Sequence, residues 1–121
     1  NATEDTNFLP DFASLPQDVL NDTAIAYICS PSNPQGAVAT RTYWEDLLKL
    51  AEKHDFRIFA DECYSEIYRD TPPTGAIEVA QSMGVDPERL IIFHSLSKRS
   101  NLPGLRSGFA AGGPKAIAAM Q

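Results

Sequence analysis

Three short and almost uninterrupted apolar runs constrain the fold of this 121-residue chain more than any other feature. They lie at 24–29, 56–61 and 90–94, and each is followed by polar residues. Apolar runs of this length are typical of strands buried on both faces of a parallel sheet. Helical patterns separate the runs, and this alternation predicts βαβ units. The expected fold is therefore α/β, a three-layer sandwich around a mostly parallel sheet.

The connecting segments carry helix signals. Between the first two runs, Thr42 and Glu45 predict a capping box, followed by an apolar stripe that ends near His54. Residues 75–83 predict a second helix, closed by Gly84, and Pro114 predicts the first position of a last helix. Residues 1–23, which contain Pro10 and Pro16, predict an irregular lead-in.

A fourth strand is predicted at 106–111 and should break the parallel pattern. Only eleven residues separate His94 from Arg106. A parallel crossover usually needs about a dozen or more residues, including a helix. The fourth strand is therefore expected to run antiparallel to the third.

Charge, hydropathy and cysteine usage exclude several classes of protein. The net charge is −6 and only Lys98 and Arg99 are adjacent basic residues, so neither a nucleic-acid nor a membrane partner is expected. No apolar run approaches the roughly 18 residues of a membrane span. Cys29 and Cys63 have neither zinc-site nor redox spacing, and predict buried free thiols in a reducing, cytoplasmic setting. No metal site is predicted.

The polar residues at the carboxyl ends of the predicted strands are the candidate site. In an open α/β sheet, ligands bind beyond these ends. The residues supply an amide, a carboxylate, a phenol, two hydroxyls, an amine and a guanidinium. They are Asn33, Asp61, Tyr64, Ser95, Ser97 and Lys98, at or after the ends of the first three strands, and Arg106, which begins the antiparallel fourth strand at the same edge.

This set of groups meets the requirements of pyridoxal 5'-phosphate (PLP). A lysine amine forms an imine with the cofactor aldehyde, and a carboxylate keeps the pyridine nitrogen protonated. A phenol and an amide donate hydrogen bonds to the phenolate oxygen, while hydroxyls and a guanidinium bind the phosphate. The sequence therefore predicts a PLP site at this edge of the sheet.

Four motifs in this order resemble those of the fold-type I PLP-dependent aminotransferases of class I and II. They are N-P-Q-G at 33–36, D-E-C-Y at 61–64, S-L-S-K at 95–98 and an arginine eight residues after the lysine. The resemblance covers residues 24–113. It implies that 1–121 is the central part of one large PLP-binding domain, with an N-terminal segment and a small C-terminal domain outside it. The longer runs at 61–68 and 95–109 most resemble succinyldiaminopimelate aminotransferases of bacterial lysine biosynthesis.

The resemblance also implies catalytic roles. Lys98 would hold PLP as a Schiff base and, once displaced by substrate, would shuttle a proton. Asp61 would pair with the pyridinium nitrogen, and Tyr64 and Asn33 would hydrogen-bond the phenolate oxygen.

The remaining implied roles concern the phosphate and the partners. Ser95 and Arg106 would bind the phosphate, with Ser97 as a weaker candidate. Gln35, where many members have threonine, is a departure with no catalytic consequence. The implied substrates are an amino acid and a 2-oxo acid, and the full-length protein is expected to be a homodimer.

Other functions stay open at this point. The same segment would suit a PLP-dependent β-lyase or cyclising synthase on the same fold. It would also suit a transcription regulator whose aminotransferase-like domain binds PLP without turnover. The 121-residue polypeptide by itself is expected to be inactive. S-L-S-K also fits the S-x-x-K motif of penicillin-recognising enzymes, but their S-D-N and K-T-G motifs are absent.

Overall fold

A four-stranded sheet in the order β1-β2-β3-β4 organises the computed structural model, which describes residues 2–120. The strands are β1 Ile25–Cys29, β2 Arg57–Asp61, β3 Leu90–Ser95 and β4 Gly108–Gly112. The first three are parallel neighbours, and β4 is antiparallel to β3. The predicted α/β fold with one antiparallel strand is confirmed. Arg106, expected to begin the last strand, lies two residues before it.

Five α-helices accompany the sheet within residues 2–120. They are α1 Gln17–Asp22, α2 Arg41–His54, α3 Ala76–Met83, α4 Leu96–Arg99 and α5 Pro114–Ala118. The irregular lead-in predicted for 1–23 is wrong at α1, because Pro16 occupies the N-cap position. There it precedes the helical hydrogen-bond ladder and does not break it. None of these helices combines the length and apolar character needed to cross a lipid bilayer.

The start of α2 differs from the predicted capping box. Thr40 is the N-cap, and its Oγ1 accepts a hydrogen bond from the Tyr43 amide at 3.2 Å. Glu45 pairs instead with Arg41, at 3.1 Å between Oε1 and Nε. The threonine two residues before Thr42 thus satisfies the free amide at the helix start. The apolar stripe is unaffected, because its spacing and not the cap determines which face is buried.

The main core lies between α2, α3 and one face of the sheet. Trp44 and Leu48 of α2 are fully buried against Ile58 and Ala60 of β2, and Val79 of α3 joins them. Each large apolar side chain buried in this way contributes about 1.5–3 kcal/mol. This packing holds the strands in register, so the residues at their carboxyl ends have fixed positions.

The two faces of the sheet differ in cover. The prediction of burial on both faces holds for β3, where Leu90, Ile91 and Ile92 are all buried. It is wrong for β1, where Tyr27 is 69% exposed. Tyr27 packs edge-on against Phe59, with ring centroids 5.3 Å apart, and Phe59 continues the aromatic row towards β3. Within residues 2–120, helices α2 and α3 therefore leave this row accessible.

Candidate active site

Asp61 is the last residue of β2 and lies at the carboxyl edge of the sheet. The parallel register aligns it with Cys29 of β1 and Phe93 of β3. Its carboxylate is exposed, and Oδ1 accepts a hydrogen bond from the Cys63 amide at 3.0 Å. Such a bond to the backbone two residues on is the usual Asx-turn and limits the rotation of the side chain. The carboxylate is thus held at the sheet edge and stays available to a cationic partner.

Two thiols lie beside this carboxylate. Cys29 and Cys63 are free and half-buried, so the prediction of free thiols is confirmed, although their burial is only partial. Burial and the Asp61 charge both raise the pKa of Cys29. Burial, followed by a hydrogen bond to Asp61, raises the pKa of Cys63 to about 11. Both thiols are therefore protonated at neutral pH and are poor nucleophiles.

An open hollow of about 460 Å³ extends from this edge over the accessible face of the sheet. The aromatic row of Tyr27, Phe59 and Phe93 forms its floor. Asp61 and the two thiols line its end at the carboxyl ends of the strands. The hollow therefore offers an apolar surface that ends at a carboxylate, which suits a planar ring carrying one protonated nitrogen.

An amide and a phenol meet at the ends of β1 and β2. Asn33, in the loop after β1, donates from Nδ2 to the Tyr64 hydroxyl oxygen at 3.1 Å. Because the phenol oxygen accepts this bond, its own proton is free to be donated elsewhere. The structure therefore brings together these two predicted site residues, and both can donate to one anionic oxygen.

Two hydroxyls and a guanidinium lie at the carboxyl end of β3 and in the segments that follow it. Ser95 caps α4, and its Oγ accepts a hydrogen bond from the Ser97 amide at 3.2 Å. Arg106 donates from Nη1 to the Ser97 hydroxyl at 3.4 Å and to the Pro103 carbonyl at 3.2 Å. Its φ of 48° is uncommon for a residue other than glycine. The guanidinium of Arg106 thus lies against α4. Ser95, Ser97 and Arg106, named here the phosphate-type group, offer the kind of donors that bind a phosphate.

Lys98 lies in α4, one turn after the Ser95 cap. Its side chain is exposed and forms no ion pair with any residue among 2–120. The next residue, Arg99, pairs with Glu66 at 3.5 Å and lies over the Phe109 ring at 5.7 Å. These contacts link α4 to the segment after β2 and to β4. The described hydrogen bonds join neither Lys98 nor Asp61 directly to the two groups above, so convergence of the complete set stays a prediction.

Glu62 and His94 are the residues that the sequence analysis missed. Glu62 directly follows Asp61 but is 5% exposed, and its Oε1 accepts a hydrogen bond from the Ala76 amide at 2.8 Å. Its Oε2 lies 3.8 Å from Nε2 of His94, which is also buried. Burial raises the pKa of Glu62, and burial together with the Arg99 charge lowers the pKa of His94. The signal available in the sequence was the two-residue alternation of a strand, which places an acid next to Asp61 on the opposite face.

Comparisons with known proteins identify the family of this chain and match its fold. The family profile described as aminotransferase class I and II matches residues 1–121. The LL-diaminopimelate aminotransferase of Dehalococcoides mccartyi is 40% identical over 121 residues, which cover 98% of this chain and 30% of that protein. A crystal structure of an aminotransferase from Neisseria meningitidis matches with a TM-score of 0.87 at 43% identity, over 94% of this chain and 29% of that one.

A third comparison is with a probable N-succinyldiaminopimelate aminotransferase from Thermus thermophilus. It matches with a TM-score of 0.84 at 32% identity, over 93% of this chain and 29% of that one. The chain therefore spans about three tenths of the length of the relatives it matches. With a family profile matched over its whole length, the chain belongs to the class I and II aminotransferases.

Proposed function

We propose that the full-length protein containing this chain is a PLP-dependent aminotransferase, which transfers an amino group between an amino acid and a 2-oxo acid. One observation carries the proposal. The carboxyl edge of the sheet presents the donor pair of Asn33 and Tyr64, the carboxylate of Asp61, and the phosphate-type group around Ser97, in that order across the strands. Family membership supports the same reading.

The chemistry of these residues fits PLP. Asp61 would hold the protonated ring nitrogen, and Asn33 and Tyr64 would donate to the phenolate oxygen. Ser95, Ser97 and Arg106 would bind the phosphate of the cofactor. When bound, PLP supplies an electron sink for the bond-breaking at the substrate Cα.

The chain's own residues have two tasks in this reaction. Lys98 provides the amine that attaches the cofactor and afterwards carries the proton that substrate Cα loses. Asp61 keeps a proton on the ring nitrogen, because its negative charge favours the cationic form of a nearby base. The protonated thiols of Cys29 and Cys63 do not compete with Lys98 for the cofactor aldehyde.

The proposed substrates are amino acids of the diaminopimelate type, as used in lysine biosynthesis. The names of the relatives from Dehalococcoides mccartyi and Thermus thermophilus support this substrate class. We further propose a cytoplasmic homodimer. Exposed apolar side chains around and after α4 support self-association: Leu102, Leu105 and Phe109 are 46%, 62% and 45% exposed.

The test uses the purified full-length protein and PLP. Amino transfer to 2-oxoglutarate would be measured with N-succinyl-LL-diaminopimelate, LL-diaminopimelate and aspartate as donors. The expected result is turnover at about 1–1000 per second with one of the diaminopimelate donors. PLP binding without any turnover would favour the regulator, and elimination products in place of a new amino acid would favour the lyase. Turnover with aspartate alone would refute the substrate class.

A further inference from the structure

Glu62 is a buried residue that is hydrogen-bonded to two parts of the fold and lies beside a third. Its amide donates to the Phe93 carbonyl at 2.9 Å, which extends the parallel pairing of β2 and β3 by one residue. Its Oε1 accepts from the Ala76 amide at the start of α3, and its Oε2 faces His94. A buried carboxylate without partners would be strongly unfavourable, so these contacts make its burial possible.

The position of Glu62 connects it to the candidate site. Asp61 and Glu62 are successive residues at a strand end, so their side chains project to opposite faces. The side-chain hydrogen bond of Asp61 goes to Cys63, within the same turn, so that side chain does not connect the turn to the rest of the fold. Glu62 does connect the turn to the rest of the fold, because its side chain accepts a hydrogen bond from the first amide of α3. The turn that it anchors continues to Tyr64.

His94 extends the connection to the lysine segment. It directly precedes Ser95, the cap of the helix that carries Lys98. The ring of His94 packs on Phe109, with centroids 4.9 Å apart, and its buried Nδ1 has no hydrogen-bond partner among the described residues. The Glu62 carboxylate therefore lies between the two segments that supply the catalytic residues, on the side of the sheet opposite Asp61.

We infer that Glu62 is a positioning residue: by joining the start of α3 to the ends of β2 and β3, it fixes the strand ends that direct Asp61, Tyr64 and Lys98 towards the cofactor. The inference rests on the proposed function. Glu62 itself touches neither cofactor nor substrate. The role requires an oxygen that accepts from the Ala76 amide, so glutamine should replace glutamate, and alanine should not.

The experiment compares four variants of the full-length protein. Glu62→Ala removes the anchor, and Glu62→Met removes it while filling the same space, should the alanine variant fail to fold. Glu62→Gln keeps the accepting oxygen. Glu88→Ala is the matched control: Glu88 also caps a helix start, accepting from the Lys115 and Ala116 amides at 3.1 and 2.7 Å, but it precedes β3 at the opposite end of the strand.

Two quantities are measured: the Kd of the apoprotein for PLP, and the circular dichroism of the bound cofactor, which reports its orientation. At metal sites, mutating a residue that orients a metal ligand typically lowers metal affinity or activity about 10–100-fold. On that scale, Glu62→Ala or Glu62→Met should raise the Kd by about tenfold and weaken the cofactor dichroism. Glu62→Gln and Glu88→Ala should resemble the unsubstituted protein in both.

The outcomes separate this inference from the function on which it rests. If the unsubstituted protein does not bind PLP, the proposed function fails and the inference fails with it. If it binds PLP and both apolar variants at Glu62 bind equally well, only the inference is overturned. An equal loss in Glu88→Ala would also overturn it, because the effect would then follow from general destabilisation.

Discussion

Gly108 offers a sharp test of how β4 supports the phosphate-type group. A Cβ added at this residue would lie 2.5 Å from the His94 carbonyl oxygen, whereas ordinary contact begins at 3.4 Å. Gly108→Ala therefore requires β4 to retreat from β3 by about 0.9 Å. The hydrogen bond from the Leu96 amide to the Ser107 carbonyl, 3.0 Å long, would stretch towards 3.9 Å and break.

The expected cost follows from these distances. Overpacking costs about 1–3 kcal/mol and a lost hydrogen bond about 0.5–1.5 kcal/mol, while the reduced freedom of the unfolded chain returns about 0.4–1 kcal/mol. Gly108→Ala should thus lower the free energy of unfolding by about 0.5–4 kcal/mol, measured by urea titration of the full-length protein. It should also weaken PLP binding, because Arg106 moves with the strand.

The control is Gly104→Ala, in the same connection, where an added Cβ meets nothing within 4 Å. This variant should lose neither stability nor PLP affinity. The reasoning about Gly108 would be refuted if its alanine variant behaved like that of Gly104 in both assays. Hydrogen exchange of the Leu96 amide gives a local check, since it should accelerate only in Gly108→Ala.

Further predictions concern the candidate site and its surroundings. Borohydride reduction followed by mass spectrometry should find the cofactor attached to Lys98. An adduct on another lysine, with Lys98 unmodified, would contradict the assignment. Lys98→Ala should bind PLP without this covalent link and lose nearly all turnover. Asp61→Ala should keep the link and lose most of the activity, so normal turnover would count against its proposed role. Because folding lowers the pKa of His94, this residue binds a proton more readily in the unfolded chain than in the folded chain. The free energy of unfolding should therefore fall as pH decreases from about 6.5 through the folded-state pKa, and His94→Gln should reduce this dependence. The 121-residue chain alone should show no transamination in the coupled assay, and turnover at about 1 per second or faster would disprove this.

The strands and their directions were predictable because their physical causes are local. Run length identifies buried strands, and the eleven-residue connection is too short for a parallel crossover, so the antiparallel β4 followed from counting residues. The errors arose where two local signals compete. Pro10 and Pro16 predict a break in any helix, but Pro16 stands directly before α1. Thr42 and Glu45 predict a capping box, but Thr40 is the N-cap of α2.

The exposed face of β1 was missed for a different reason. An apolar run such as 24–29 shows that side chains can be buried, but it does not show what covers them. In the described residues α2 and α3 cover one face, and Tyr27 lies on the other. Burial of that face depends on elements distant in sequence, which no local pattern within the run encodes.

The same difference between local and distant causes explains which residues around the candidate site could be predicted from the sequence. Asp61 could be recognised because it ends a strand, and such residues face the ligand edge of an α/β sheet. Glu62 has the same charge and lies one position further on, yet alternation sends it to the covered face, where its partners come from α3 and β3. A sequence motif therefore marks the residue that would touch the cofactor, while the residue that we infer to position it becomes visible only from tertiary contacts. On this proposal the two acids of D-E-C-Y have separate roles, and replacing each with its amide should have a different effect. Asp61→Asn would remove the charge proposed to lie beside the ring nitrogen, whereas Glu62→Gln would preserve the oxygen that accepts from the Ala76 amide.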